Sequence, residues 1–395
     1  MIKVLFIFHT PILDGGASKS GLNLVKGLTE KGIEVHTVIP NEGPLKDELL
    51  KTGVTVDIVP FKWAYPRYFG NLKSVVKFLP SLITNGLANK NAVEQLVAIA
   101  KKHEVSIVHS NSSVIDVGFN VANHLSLPHI THNREFGYKD CTAVMWHIRK
   151  QLEKFDSYSI SITKCIHAFR NLKYSTKHKV IYNGMYNASS TIFIEKKEPY
   201  ILYVGALNRQ KGFLDLLEGY GLLSGTEKET TKLKIAGDIS RISPTLKNEC
   251  ESICQKYGIS DKVEWLGKRN DVPDLMSKAL CIVVPSLNEA FGRVMAEAMF
   301  NGCLVIGRDT AGLKEQFDNG VEHTGEEIGL RFKSVKDLTE RMREVITRPF
   351  ETFYPMIHRA QNCVVDLYSN ETYVDRTIDF YKEIMNRKRQ NHSGQ

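Results

Sequence analysis

The sequence has no run of about 18 apolar residues, so nothing in it reads as a bilayer-spanning helix. It has no G-x-G-x-x-G fingerprint, which disfavours a nicotinamide-dependent oxidoreductase. It also has no Asp-x-Asp, so a metal-clamped diphosphate lacks its usual carboxylate ligands. Cysteine is scarce and unpatterned: seven residues, of which only Cys250 and Cys254 are close together. Their C-x-x-x-C spacing is neither a zinc knuckle nor a redox pair, and the set reads as reduced thiols of a cytosolic protein. Low-complexity tracts and short repeats are absent, apart from the basic stretch Arg387–Asn391, which reads as disordered.

What is present is an ordinary globular composition, 42% hydrophobic and 24% charged over 395 residues, which suits two domains. Met1–Phe8 carries one charge and a short apolar run ended by His9 and Pro11. That is too short for a secretory segment and reads as a buried strand. The net charge of +8 is uneven: residues 1–185 hold 23 Lys/Arg against 14 Asp/Glu, and the remainder is close to neutral. A basic first half points to an anionic partner there, although solubility alone would also account for it.

Apolar runs alternate with helical patterns along the whole chain. Strands are expected at 2–8, 33–39, 54–59, 105–109, 128–132 and 158–162, with helices at 18–31, 91–103, 114–125 and 142–156. The second half repeats the plan, with strands at Tyr200–Gly205, Leu233–Gly237, Val263–Gly267, Cys281–Pro285 and Cys303–Gly307. Helices are expected there near 211–223, 244–257, 271–279 and 292–301. Strand, helix, strand repeated this way implies two tandem, Rossmann-like doubly wound α/β domains facing a central cleft, where ligands bind at the carboxyl ends of the strands. The boundary falls near Asn183-Gly184, giving domains of 1–183 and 184–365, with C-terminal helices of about 366–388 crossing back onto the first.

Three strand-to-helix loops carry the chemistry. Gly15-Gly16, after the first strand, lets the backbone approach a ligand beside free helix N–H groups. Val204–Gly212 ends a strand in Gly205, then offers Arg209 and Lys211 before a helix, a cradle for a diphosphate. Pro285–Met299 holds Glu289 and Glu297 eight positions apart around a predicted helix start. At ~1.5 Å rise per residue the two carboxylates sit on the order of 10 Å apart. That is wider than the ~5–5.5 Å of a retaining glycoside hydrolase and suits two hydroxyl-binding groups astride a diphosphate. Two acids favouring a helix N-terminus would leave the same pattern.

Taken in this order and spacing, the motifs resemble those of the retaining family 4 glycosyltransferases of the GT-B fold. Pro285–Met299 resembles the E-x7-E element, continued by Gly302–Ile306 and Gly312–Glu315. Val204–Gly212 resembles the phosphate loop, and Val180–Gly184 the turn that closes the first domain. The resemblance implies a metal-independent transferase that moves a sugar from a nucleotide-sugar donor, UDP- or GDP-linked, to a glycan or lipid-linked acceptor in surface polysaccharide or glycolipid synthesis. It assigns donor hydroxyls to Glu289, the ribose to Glu297 and the diphosphate to Lys211. Ala290, Phe291, Gly292 and Val294 would surround the donor, with Gly15, Gly16 and Gly205 lining the phosphate side. His132, at a strand carboxyl end, would act near the transferred sugar, with His109 on the neighbouring strand a weaker candidate. Ala206 stands where the family carries an arginine, and Arg209 is the candidate substitute.

Other classes share parts of this pattern. A GT-B-like nucleotide-sugar epimerase or a phosphorylase would have the same architecture. A nucleic-acid-binding protein would explain the charge, but no such motif is visible. Residues 62–83 combine aromatics, cations and an apolar helical stripe, which suits an element lying on an anionic membrane surface. A helix packed on its own domain explains that stripe equally well. A cytoplasmic location, peripheral to the inner face of the plasma membrane, follows from the first of these.

Overall fold

The computed structural model describes residues 1–13, 15–64, 72–136, 150–154 and 157–393, with the side chains of 72–79, 81–82 and 391–393 outside the description. The chain divides into two units, Met1–Gly184 with Asn370–Gln395, and Met185–Ser369.

In the first unit seven parallel strands run in the order β3-β2-β1-β4-β5-β6-β7. They are β1 (Lys3–Ile7), β2 (Glu34–Ile39), β3 (Thr55–Ile58), β4 (Ile107–Ser110), β5 (His129–Asn133), β6 (Ser157–Ser161) and β7 (His178–Val180). The period of two along β1 decides what covers each face. Val4, Phe6 and Phe8 pack with Leu24, Val25 and Leu28 of helix Gly16–Glu30 and with Tyr373, Phe380, Tyr381 and Ile384 of helix Asn370–Ser393. Leu5 and Ile7 face the other way, against Leu96 of helix Leu72–Lys102 and Val121 of helix Val117–Leu125. Each such side chain, fully buried, contributes about 1.5–3 kcal/mol.

The second unit holds six parallel strands in the order β10-β9-β8-β11-β12-β13. These are β8 (Glu198–Val204), β9 (Lys232–Ala236), β10 (Val263–Gly267), β11 (Ala279–Val284), β12 (Leu304–Arg308) and β13 (Leu330–Phe332). Its core joins Ile201, Tyr203, Ile235, Val283 and Ile306 of the sheet to Phe213, Leu217, Leu338 and Met342 of flanking helices. In both sheets the order reverses at one place, between β1 and β4 and between β8 and β11. Loops leaving the carboxyl ends of those strands diverge there and leave room for a ligand.

Several expectations are corrected. β7 and β13, three residues each, are too short to show a period in sequence. The helix expected at 91–103 is the end of a longer one, Leu72–Lys102, which continues through Pro80. The basic stretch Arg387–Asn391 is helical rather than disordered, because helix Asn370–Ser393 is already held by its apolar face. The helix expected at 142–156 lies largely outside the described residues. Among the described residues no helix is long and apolar enough to cross a membrane. Of the 62–83 stretch, residues 65–71 and most later side chains lie outside the described residues; Ile83 is exposed.

Candidate functional site

At the reversal in the second unit, the loops after β8 and β11 are laced together. Asn208 accepts a hydrogen bond from the Lys211 backbone N–H through its side chain, which shapes the turn before helix Phe213–Gly221. Leu287 N–H donates to Gln210 O across the two loops at 2.9 Å. Gly212 sits at φ +64°, and a Cβ there would lie 1.8 Å from Pro285 O. Only glycine fits both the left-handed backbone and the close approach.

This lacing brings Lys211 and Glu289 into an ion pair. The same Glu289 oxygen accepts a hydrogen bond from Ser286 Oγ at 2.9 Å. A third loop, after β12, supports the carboxylate's backbone: Gly312 N–H donates to Glu289 O at 2.9 Å. Buried Gln316 donates to Phe291 O and Gly292 O. Gly292, at φ +87°, opens helix Arg293–Phe300 without a side-chain cap. The first-turn N–H groups of that helix therefore stand beside Glu289 with no side chain from the Ncap.

Sequence-predicted residues fall out as follows. Lys211, Glu289, Ala290, Phe291 and Gly292 come together on the adjoining loops. Phe291 is buried and packs edge-on against Tyr368. Val294 and Glu297 follow in the first turns of the helix, and Glu297 is held by Arg293 at 2.9 Å. Gly205 closes β8, its N–H donating to Ala236 O at 3.0 Å. Arg209 points to Glu249 on helix Pro244–Lys256 and is largely exposed. Sequence reasoning missed Arg308 at the end of β12, which binds Pro285 O at 2.8 Å and pairs with Asp215. A cation closing a strand just before a loop was the available signal. Among the described residues no three His, Cys, Asp or Glu side chains are grouped to hold a metal ion.

The first unit carries a second polar network at its own reversal. His109 of β4 and His132 of β5 share the sheet face covered by helix Asn370–Ser393, and both are fully buried. His109 Nε2 lies 3.1 Å from His132 Nδ1, and His109 Nδ1 lies 2.6 Å from Tyr381 Oη. Arg134 reaches His132 Nδ1 at 3.3 Å, Tyr373 Oη at 2.9 Å, Asn183 Oδ1 at 2.7 Å and Asn111 Oδ1 at 2.9 Å. Burial above all, then the Arg134 charge, holds both imidazoles well below the usual histidine range. The network reaches the glycine turn as well: Asn111 Nδ2 donates to Ala17 O at 3.1 Å, just after Gly15 and Gly16. Beyond it, Glu135 Oε1 accepts from Ser112 and Ser113 at 2.8 and 3.1 Å.

Residues 187–362 match the family model described as Glycosyl transferases group 1. That span is nearly the whole of the second unit, and the match supports a glycosyltransferase enzyme. Proteins similar to this chain include an uncharacterized glycosyltransferase, MJ1607, of Methanocaldococcus jannaschii, 25% identical with 86% of this chain and 93% of that protein covered. Another is the capsular polysaccharide biosynthesis glycosyltransferase CapH of Staphylococcus aureus, also 25% identical, covering 78% and 81%. The fold is shared with the crystal structure of Anabaena Alr3699/HepE in complex with UDP-glucose, at a TM-score of 0.75 and 18% identity over 97% of this chain and 100% of that one. The chain therefore has two Rossmann-like α/β units of the GT-B kind.

Proposed function

We propose that this glycosyltransferase takes a sugar from a nucleoside-diphosphate donor held by the second unit and transfers it to a glycan or lipid-linked acceptor bound by the first. The observation that carries this reading is the Lys211–Glu289 pair, which sets a cation and an acceptor of hydroxyl hydrogen bonds side by side at the sheet reversal. In the reading, Lys211 neutralises the diphosphate leaving group with help from the start of helix Arg293–Phe300, an arrangement that needs no metal. Glu289 takes hydroxyls of the donor sugar, and Glu297 the ribose. His132 contributes a substrate contact from the first unit. Retention of configuration and a role in surface polysaccharide synthesis belong to the same reading; the relationship to CapH supports the latter.

A thermal-shift screen of the full chain against UDP, GDP, ADP and CMP, followed by their sugars, tests the donor assignment. A ligand that binds the folded state at 100 times its Kd stabilises by about 2.7 kcal/mol. One nucleoside diphosphate is expected to raise the melting temperature and to be released as product when an acceptor is supplied. No stabilisation by any nucleotide at millimolar concentration would sink the reading. Nucleotide released without any acceptor product would favour hydrolysis or epimerisation instead.

A further inference from the structure

We infer that Arg134 is a positioning residue that fixes His132 in its neutral Nε2-protonated form, so that His132 meets a substrate oxygen as a hydrogen-bond donor and not as a base. The inference rests on the placement of His132 in the reaction proposed above. A guanidinium has five N–H donors and no acceptor, so its contact with His132 Nδ1 at 3.3 Å requires a lone pair on that nitrogen. His109 Nε2, 3.1 Å from the same Nδ1, must then be the donor in their contact. A His109 that carries its proton on Nε2 has a bare Nδ1, and Tyr381 Oη supplies the matching O–H at 2.6 Å. Each contact is satisfied by one assignment: Tyr381 donates to His109, and His109 donates to His132 alongside Arg134.

The remaining proton of neutral His132 then sits on Nε2. That atom is buried and has no hydrogen-bond partner among the described residues. A buried N–H left without an acceptor costs about 1–3 kcal/mol, a cost that a ligand oxygen would remove. A base would need a lone pair on Nε2, and the proton cannot move to Nδ1 while Arg134 and His109 both aim N–H groups there. Arg134 itself is buried, and its described partners, Asn111, Asn183, Tyr373 and His132, are all uncharged. His132 is met by His109 of the sheet, by Arg134 just after β5 and by Tyr373 of the C-terminal helix, whose Tyr381 meets His109 in turn.

Long-range proton–nitrogen NMR on the full chain labelled with 15N-histidine reads the tautomer, with His132→Gln identifying the signal. The Nε2–H pattern is expected, unchanged between pH 6 and 8. An Nδ1–H pattern or a doubly protonated ring in that range would overturn the inference. Arg134→Met should release His132 into a mixture of tautomers; an unchanged signal would remove Arg134 from its role. If that variant does not fold, Tyr381→Phe serves. It leaves Arg134 in place and should leave His132 as it is, whereas a switch to Nδ1–H would give control to His109 and refute the inference.

Kinetics then tests the donor role. His132→Gln keeps an N–H donor and should retain kcat within about tenfold, while His132→Ala should lose about 10²-fold, the lower bound for removing one preorganised hydrogen-bond donor. Equal losses in the two would count against donation. Absence of transfer with every donor would overturn the proposed function and leave the tautomer result standing. Transfer by an enzyme whose His132 is Nδ1-protonated would overturn the inference alone.

Discussion

Lys211 and Glu289, 78 residues apart in sequence, form an ion pair that bridges the loops after β8 and β11. Both are only partly exposed, so the pair is more than a solvated surface contact. Under the proposed function, a diphosphate ligand would compete with Glu289 for the Lys211 cation. Breaking a partly exposed pair costs about 0.2–1 kcal/mol, which is about a 1.4-fold to fivefold effect on affinity.

The first prediction separates the two partners by sign. Lys211→Ala should weaken binding of a nucleoside diphosphate by at least about tenfold, the loss of one charged hydrogen bond of about 1.5–3 kcal/mol. Glu289→Gln should tighten binding of the same sugar-free nucleotide about 1.4-fold to fivefold, because it frees Lys211. The Gln variant should nonetheless transfer sugar slowly. Isothermal titration calorimetry with both variants checks this, and weaker binding in each would mean that Glu289 holds the nucleotide directly.

Arg209 gives a graded comparison. Its guanidinium is paired with Glu249 and its side chain is 60% exposed, whereas that of Lys211 is 35% exposed. Arg209→Ala should therefore cost less than about threefold in nucleotide affinity, in keeping with an exposed charge. A loss matching that of Lys211→Ala would make Arg209 the full replacement for the cation missing at Ala206.

Gly212 is the hinge of the loop packing. Alanine there must adopt φ +64° and also clear Pro285 O, 1.8 Å from its Cβ. The backbone term is about 1–2 kcal/mol and the overpacking about 1–3 kcal/mol. Gly212→Ala should lower stability by about 2–5 kcal/mol and weaken nucleotide binding, since the β8 and β11 loops would separate. Denaturant unfolding of the variant is the measurement, and a change under 1 kcal/mol would show that the loops yield without cost.

How much of this was legible in the sequence follows from range. Strands such as β1 and β11 announce themselves by short apolar runs between turn residues, and Gly212 and Glu289 in loops, with Glu297 in the helix that follows, have a spacing that carries the family resemblance. β7 and β13 gave no such signal, because three residues cannot show a period. The His132 network was legible at its centre alone. His132 and Arg134 are neighbours in sequence, but Tyr373 reaches Arg134, and Tyr381 reaches His109, from more than 200 residues away. Nothing local marks a tyrosine on an amphipathic helix as the donor to a histidine on a distant strand. Ion pairing between loops, as at Lys211 and Glu289, is hidden for the same reason.

The buried histidines of the first unit also predict how its stability responds to acid. His129 is fully buried in β5, with Nε2 2.9 Å from Ser110 Oγ, and burial lowers it to about 3. Unfolded, it would take a proton near pH 6.5. A folded pKa below the unfolded one means that the unfolded state binds more protons between the two values, so stability falls as pH falls. The contribution is fully present above about pH 6.5 and is lost progressively toward pH 3, at about 1.4 kcal/mol per pH unit. His109 and His132 are shifted in the same direction and remain in a His129→Gln variant. Denaturant titrations between pH 7.5 and 4.5 should therefore show a steep acid limb in the wild type and a limb shallower by about that amount in the variant. Carboxylate effects are common to both chains and cancel in the difference. Parallel limbs would mean that His129 takes up its proton in the folded protein as readily as in the unfolded one.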